Sequence, residues 1–199
     1  MSEQCEAKAM SEGGEMGKQI DAHLTEVRVD SEAVFDGMLL HVRRDTVRLP
    51  DGSVATREFV VHPGAVLVVP VRPDGSLVAV RQFRYPVGRV FLEFPAGRID
   101  PGETALATAR RELAEEVGYT AATFTPLGRV HSVVGYSDEA IDLFVAEGLT
   151  FVGARPDVGE FLEILTLDVD AMLAALDKGE ITDAKTVAAL LLYVRQRPR

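Results

Sequence analysis

Three glutamates, Glu112, Glu115 and Glu116, lie within one turn of a predicted helix. Like charges at this spacing repel each other and weaken a helix, so the cluster needs an explanation. At 100° per residue the three side chains share an arc of about 100°. Clustered carboxylates are hard oxygen ligands that suit Mg²⁺ or Mn²⁺, and a solvated acidic face is the alternative.

The segment before the helix favours the metal site. A predicted strand ends near Pro95 and Gly97, and the residues GRIDPGE then lead into the helix. A solvated helix does not need such a fixed loop, and this loop could hold a backbone carbonyl beside the carboxylates. A separate apolar stripe on the same helix is predicted to face the core: Leu106, Ala109, Leu113 and Val117.

The remaining pattern predicts one α/β unit from about residue 26 onward. Hairpins are predicted around Asp51-Gly52 and Asp74-Gly75, and GAVLVVPV is typical of a central strand buried on both faces. The acidic helix is predicted over Thr104 to Val117, with Gly118 as its C-terminal cap. Two further helices are predicted, DVDAMLAALDKG and TDAKTVAALLLYVRQ, the second capped by Thr182 or Asp183.

Composition limits the classes of partner. The net charge of −10 argues against binding a nucleic-acid backbone. The single cysteine, Cys5, allows no intrachain disulfide, and no apolar stretch is long enough to span a membrane. A cytoplasmic location is the default expectation. Residues 1–25 are predicted to form a flexible arm, 26–60 an N-terminal β-region and 61–199 the main domain.

At this point the sequence resembles a known family. The 23 residues from Gly97 to Tyr119 fit the Nudix box, a glycine, five residues, a glutamate, seven residues, then Arg-Glu, an aliphatic residue, any residue, Glu-Glu, any residue, a glycine and a hydrophobic residue. Every fixed position is occupied: Gly97, Glu103, Arg111, Glu112, Leu113, Glu115, Glu116, Gly118 and Tyr119.

The resemblance implies a fold and a set of roles. The fold would be an α/β/α sandwich around a mixed sheet, here with an additional N-terminal antiparallel β-region. The three glutamates would bind Mg²⁺, with Mn²⁺ as a possible substitute, and the carbonyl of Ala96 would be a further ligand. Arg111 would orient the glutamates and serve catalysis with Glu115, and Glu103 would brace the turn before the helix.

Outside the box, the chain resembles the ADP-ribose pyrophosphatase branch. The resemblance includes GYSDE, GEFLEI and ITDAKTVAALLL. It implies that Arg84 and Glu93 contact the substrate, a nucleoside diphosphate sugar. It also implies a homodimer in which N-terminal strands exchange, so that Arg57 reaches a substrate across the interface. Solvated strand positions are the alternative for both arginines.

Several carboxylates are candidates for the general base. Glu160, in the GEF match, is expected to activate the attacking water, and Glu139 and Glu163 are its rivals. The expected products from ADP-ribose are AMP and ribose 5-phosphate.

The chain departs from the branch at one position. ADP-ribose hydrolases of this branch commonly carry a proline about sixteen residues past the box, where this chain has Gly135 after Val134. Gly135 is therefore a candidate substrate contact, and GDP-mannose or another nucleotide sugar is the alternative substrate. A regulator with this fold that binds without cleaving is a further alternative, which predicts damaged box carboxylates.

Overall fold

The structure is a computed structural model that describes residues 21–156 and 159–197. Most of the predicted N-terminal arm, residues 1–20, therefore lies outside the described residues. The chain forms two compact units, which divide between Val61 and His62.

The first unit contains an antiparallel sheet of three strands in sequence order. These strands are β1 (Val27–Asp36), β2 (His41–Arg48) and β3 (Val54–Val61). The hairpin predicted around Asp51-Gly52 joins β2 to β3. Its turn is closed by the Asp51 carboxylate, which accepts the Ser53 N–H at 2.9 Å, and by Gly52, whose φ is +86°.

The second unit is an α/β/α sandwich around a mixed sheet, as predicted. The sheet has the order β7-β4-β9-β8, in which β4 and β9 are parallel and the other neighbours are antiparallel. A smaller antiparallel sheet has the order β10-β5-β6. The elements of this unit are β4 (Ala65–Pro70), β5 (Leu77–Arg84), β6 (Arg89–Glu93), β7 (Ala96–Arg98), α1 (Ala105–Val117), β8 (Tyr119–Val130), β9 (Ile141–Phe151), β10 (Leu162–Leu167), α2 (Val169–Asp177) and α3 (Ala184–Gln196).

The core forms on both faces of β4. All six residues of this strand are buried, which confirms the prediction of a central strand. Alternate side chains point to opposite faces: Val66 and Val68 belong to the cluster that contains Leu113 of α1. Leu67 and Val69 belong to the cluster that contains residues of α2 and α3. The acidic helix therefore packs on one face of the mixed sheet and the last two helices on the other.

The prediction of a hairpin around Asp74-Gly75 is wrong, because the strands on either side of the turn do not pair with each other. The turn itself forms, because Gly75 N–H donates to the Arg72 carbonyl at 2.9 Å. The strands that it connects then enter different sheets, and only an isolated bridge joins Val71 to Leu77. The reason is that both edges of β4 are occupied by β7 and β9, which leaves β5 to pair with β6 and β10.

The stretch RVFLEFPAG, predicted as one strand, is divided in the same way. It forms β6 and β7 in separate sheets, and Pro95, which cannot donate a hydrogen bond, lies between them.

Among the described residues, no helix combines the length and the apolar character needed to cross a bilayer.

Candidate active site

Both ends of α1 are fixed by local hydrogen bonds. The Thr104 side chain accepts the Ala107 N–H at 3.2 Å, as a helix N-cap does. At the other end Gly118 is left-handed, with φ at +73°, and a side chain there would place its Cβ 2.4 Å from the Ala154 nitrogen. The start and end of the helix are therefore determined by the sequence, and so are the directions of its carboxylates.

Two of the three box glutamates face the protein interior. Glu112 is 9% exposed and Glu116 is 4% exposed, whereas Glu115 is partly exposed. The Glu112 carboxylate lies directly over Gly97, where a Cβ would come 1.8 Å from Oε1. Glu116 Oε2 accepts the Ala96 N–H at 3.2 Å. The acidic face is therefore not a solvated surface, and it lies against the edge of β7.

The register of β7 leaves the Ala96 carbonyl available as a ligand. In an antiparallel pair, hydrogen bonds to the neighbouring strand fall on alternate residues. The Val68 N–H donates to the Pro95 carbonyl at 2.9 Å. The next residue, Ala96, lies opposite Leu67 at a position without these bonds. Its N–H and C=O therefore both point away from β4, on the edge where Glu116 accepts the N–H.

Arg111 connects the box residues to one another. Its Nη1 donates to Glu112 at 2.7 Å and to Glu115 at 3.0 Å. Its Nε and Nη2 donate to Glu103, and Nη2 also donates to the Arg98 carbonyl at 3.2 Å. These contacts raise the pKa of Arg111, with Glu103 as the largest cause, and they lower the pKa of the Glu103 carboxyl. The guanidinium thus holds the loop before α1 and the glutamates of α1 together.

The site carries more negative charge than the protein neutralises. Burial is the main cause that raises the pKa of Glu116 to about 8, and the negative charges of Glu112 and Glu160 add to it. Burial also raises the pKa of Glu112, although Arg111 acts in the opposite direction. Carboxylates in this state bind a proton or a cation much more readily than solvated ones do.

The residues present fit a hard divalent cation. Carboxylate oxygens and a free carbonyl are the donors that Mg²⁺ and Mn²⁺ take, and the space over Gly97 exists only because that residue has no Cβ. In the described ranges no three acidic, histidine or cysteine side chains converge as a finished metal cluster. Arg111 instead lies on Glu112 and Glu115, so a bound cation would share these carboxylates with it.

A second group of charged residues is centred on Glu93. Glu93 is 1% exposed and receives two hydrogen bonds from Arg84, at 2.9 Å from Nε and 2.8 Å from Nη2. The Lys185 ammonium binds the same carboxylate and also Asp183, the latter at 2.9 Å. Burial opposes ionisation of Glu93, but the two cations outweigh it and lower the pKa of this carboxyl.

Lys185 is a site residue that the sequence analysis did not identify. It lies in ITDAKTVAALLL, which was noted for its resemblance to one branch, but nothing in the local spacing links it to Glu93. Only the packing of α3 against the sheet brings the two side chains together.

An open cavity of about 340 Å³ lies beside both the glutamates of α1 and the charged residues around Glu93. Ala96 and Gly97 line it and also contact the carboxylates of α1, so the cavity adjoins the box glutamates Glu112 and Glu116. The other lining residues come from several separate segments of the second unit: Ala65, Val66, Arg84, Arg98, Ser132, Glu139, Ile141, Asp183, Ala184 and Lys185. A neighbouring cavity of about 500 Å³ shares Arg84 and Lys185 with it.

Of the three candidate bases, Glu160 interacts electrostatically with the box glutamates Glu112 and Glu116. It lies near enough to Glu112 and Glu116 for its charge to raise the pKa of both carboxyls. It is half-buried and also lines a cavity of about 460 Å³ with Phe83 and Phe161. A carboxylate in this position can accept a proton from a water molecule beside a metal.

The two rivals occupy other positions. Glu163 is exposed on β10 and is bound by Arg81 at 2.6 Å. Glu139 lines the 340 Å³ cavity, where Ser132 Oγ donates to it at 2.7 Å and His62 Nε2 lies 3.6 Å away. Glu139 is thus a member of the site, while the carboxylate of Glu163 is already taken by an arginine.

Two predicted substrate residues are not brought to this cavity by the described contacts. Gly135 lies in an exposed turn that the Tyr136 N–H closes onto the Val133 carbonyl, and a Cβ there would meet open space. Arg57 belongs to the first unit, where its Nη2 donates to Glu26 at 2.5 Å. Their roles in substrate binding stay predictions.

The fold and the site together define a Nudix hydrolase, and the chain belongs to the Nudix family. The sequence profile of the NUDIX domain matches residues 61–192. A second profile, described as the nucleoside diphosphate sugar hydrolase N-terminal domain, matches residues 26–60. Within the family, the protein falls in the ADP-ribose pyrophosphatase-like branch.

Individual relatives agree with this placement. An ADP-ribose pyrophosphatase of Bacillus subtilis is 37% identical over 84% of this chain and 91% of the relative. A methanol dehydrogenase activator of Bacillus methanolicus is 36% identical over 88% of this chain and 94% of the relative. A crystal structure of an ADP compounds hydrolase superposes with a TM-score of 0.77 at 27% identity, over 86% of this chain and 94% of that one.

Proposed function

We propose that this Nudix hydrolase uses Mg²⁺ to cleave the diphosphate linkage of a nucleoside diphosphate sugar, with ADP-ribose as the substrate. The cation would be held by Glu112, Glu115, Glu116 and the Ala96 carbonyl, and Mn²⁺ would substitute for it. The products would be AMP and ribose 5-phosphate.

One observation carries the proposal. Glu112 and Glu116 are buried against the edge of β7, beside a backbone carbonyl that the sheet does not use. This burial, with the negative charges of Glu112 and Glu160, raises the pKa of Glu116 to about 8. Such a site is unfavourable for the protein alone and becomes favourable when a cation and a diphosphate bind together.

The reaction consumes one water molecule. When bound, the cation would neutralise charge on the diphosphate and lower the pKa of a coordinated water. Glu160 takes the proton from the attacking water, whose oxygen forms a new bond to one phosphorus while the bridging P–O bond breaks. Arg111 keeps Glu112 and Glu115 oriented, and the second phosphate leaves with the bridging oxygen.

Arg84 supports recognition of the diphosphate. Two of its nitrogens bind Glu93, and within the described residues Nη1 makes no hydrogen bond. The guanidinium lines the cavity beside Ala96 and Gly97, so Nη1 can donate to a phosphate oxygen of a substrate bound there.

Two alternatives differ in substrate or in chemistry. GDP-mannose or another nucleotide sugar is kept as a substrate because Gly135 replaces the expected proline. A regulator that binds without cleaving is disfavoured because all the box carboxylates are present and two of them are buried at the site.

The test is product analysis with the purified full chain. ADP-ribose, GDP-mannose, other nucleotide sugars and a diadenosine polyphosphate would each be incubated with Mg²⁺ or with EDTA. AMP and ribose 5-phosphate formed only with metal is the expected result. Glu116→Gln should abolish it, while Glu180→Gln, a change at an exposed glutamate, should not. Cleavage of none of these compounds by a folded protein that binds Mg²⁺ would refute the proposal.

A further inference from the structure

Lys185 supplies the one amine among the described side chains that line the two cavities beside Arg84. Its side chain is 16% exposed, and its ammonium binds Glu93 from β6 and Asp183 from the residue before α3. An ammonium held by two carboxylates has little freedom to move. The start of α3 is thereby attached to the end of β6.

A hydrogen bond also connects the end of β6 to the start of α3. The Phe94 N–H donates to Thr186 Oγ1 at 3.3 Å, and both residues are buried. Asp183 in turn caps α3 by accepting the Thr186 N–H at 3.0 Å. Residues 93 and 94 are thus held in place immediately before the segment that carries the Ala96 carbonyl.

The Glu93 carboxylate is shared between two cations. Arg84 approaches it through Nε and Nη2, and Lys185 binds the Oε2 atom that also accepts from Nη2. Rotation of this carboxylate would break bonds to both partners, so the Lys185 contact restricts the orientation in which Glu93 can bind Arg84. Arg84 lines the 340 Å³ cavity, and among the described residues its Nη1 makes no hydrogen bond, so this nitrogen can donate to a ligand bound there.

We infer that Lys185 is a positioning residue for the diphosphate: it locks Glu93 so that Arg84 presents Nη1 to the substrate. Lys185 also lines both the 340 Å³ and the 500 Å³ cavities, so its ammonium would lie near a ligand bound in either. This inference rests on the proposed function, because it assigns a role within the same site.

The experiment compares Lys185→Met and Lys185→Arg with the wild type and with Lys178→Met, a change at an exposed lysine at the end of α2. For the nucleotide sugar that the wild type cleaves, Lys185→Met should raise KM about tenfold while kcat changes less than about threefold, as expected for one lost charge-assisted contact. Lys185→Arg should recover part of the loss, and Lys178→Met should leave both constants unchanged.

Two further measurements separate positioning from folding. In a double-mutant cycle, Lys185→Met and Glu93→Gln should raise KM by less together than the product of their separate effects, because they break the same link. A variant that melts at a lower temperature but keeps the wild-type KM would overturn the inference, as would independent effects of the two changes.

A binding measurement keeps this test separate from the test of the proposed function. The dissociation constant of ADP, measured by titration calorimetry with Mg²⁺, should rise about tenfold in Lys185→Met. If the wild type cleaves no nucleotide sugar, the proposed function fails, and weaker ADP binding by the variant still supports the role of Lys185. Equal ADP binding by the variant and the wild type overturns it.

Discussion

Glu116 and Glu112 are carboxylates that the fold removes from water, and among the described residues neither forms an ion pair with a lysine. Arg111 offsets part of the charge on Glu112, while the Ala96 N–H and Arg84 favour the ionised form of Glu116. The neighbouring charge of Glu160 opposes ionisation of both. A cation bound to these residues would therefore contribute to stability as well as to chemistry.

The free energy of unfolding of the metal-free protein should fall as the pH rises from about 4.5 to about 8. The pKa of Glu116 is raised from 4.5 in the unfolded chain to about 8 in the folded one. Between these values the unfolded chain has released a proton that the folded chain keeps, so rising pH favours unfolding. Urea titrations from pH 4 to pH 9 in EDTA would measure the slope.

Two comparisons identify the residue that causes the unfolding free energy to fall with pH. Glu116→Gln should flatten it, because glutamine does not titrate, and saturating Mg²⁺ should raise stability most at high pH. A metal-free wild type whose stability is constant between pH 5 and pH 8 would contradict the assignment of the raised pKa to Glu116.

The base is expected to be Glu160. Glu160→Gln should lower kcat about 10² to 10⁴-fold with little change in KM, because a general base acts only in the transition state. Glu163→Gln should have a small effect, since Arg81 already binds that carboxylate at 2.6 Å. Steady-state kinetics of these variants and of Glu139→Gln would decide the matter, and a larger loss in Glu139→Gln would transfer the role to Glu139.

At the scale of residues, local spacing predicted the grouping of the box glutamates but not the charged group around Glu93. The box glutamates lie on one helix, so helical geometry indicates that they share a face. The resemblance alone pointed to Arg84 and Glu93. Lys185 lies far from both in the chain, and only the packing of α3 brings it to Glu93. The burial of Glu112 and Glu116 likewise depends on β7, which the helical pattern does not specify.

At the scale of the elements, β7 and α1 together supply the candidate metal ligands. The strand supplies an unbonded carbonyl at Ala96 and the bare backbone at Gly97, and the helix lays two carboxylates against them. Because Gly97 has no Cβ, the Glu112 carboxylate of α1 can lie directly against the backbone of β7.

Gly97→Ala should therefore abolish activity by displacing Glu112. The added Cβ would come 1.8 Å from Glu112 Oε1 and 2.0 Å from its Cδ, so the carboxylate must leave its position. We expect kcat to fall at least about a hundredfold, as for loss of an interaction worth a few kcal/mol in the transition state. Kinetics and the metal concentration needed for half-maximal activity would measure the effect.

Gly75→Ala is the matched control for that change. Gly75 has a φ of +82° and open space around its missing Cβ, so alanine there should cost about 1 kcal/mol of stability by backbone strain alone. It should leave kcat unchanged. An active Gly97→Ala enzyme with the wild-type requirement for metal would show that Glu112 need not lie over this residue.

The sequence predicted most elements well, because their signals are local. Asp183 caps α3, as one of the two expected capping residues, and Gly118 ends α1 in the left-handed conformation. Thr104, predicted as the first residue of α1, is its N-cap. The partners of β5 could not be predicted in this way. A turn at Asp74-Gly75 is a local property, but whether the strands beside it pair depends on competition from β7 and β9 for the edges of β4.

At the scale of the molecule, we propose that the first unit contributes to substrate binding through Arg57. We expect a homodimer, and in that dimer Arg57→Met should raise KM several-fold, because a phosphate or ribose contact would be lost. Glu26→Gln is the control. It releases Arg57 from its ion pair at 2.5 Å without removing the guanidinium, so it should not raise KM. Light scattering coupled to gel filtration would give the oligomeric state, and a monomer with wild-type kinetics would exclude this role.

The parallel pairing of β4 with β9 has a consequence for how the protein folds. Ala65 lies opposite Ile141, so the strands that form the floor of the cavity are joined only after a long stretch of chain has closed. Contacts between residues so distant in sequence slow folding. Refolding should thus show α1 forming early and the complete cavity forming late. A ligand that needs the finished site would then slow unfolding much more than it speeds refolding.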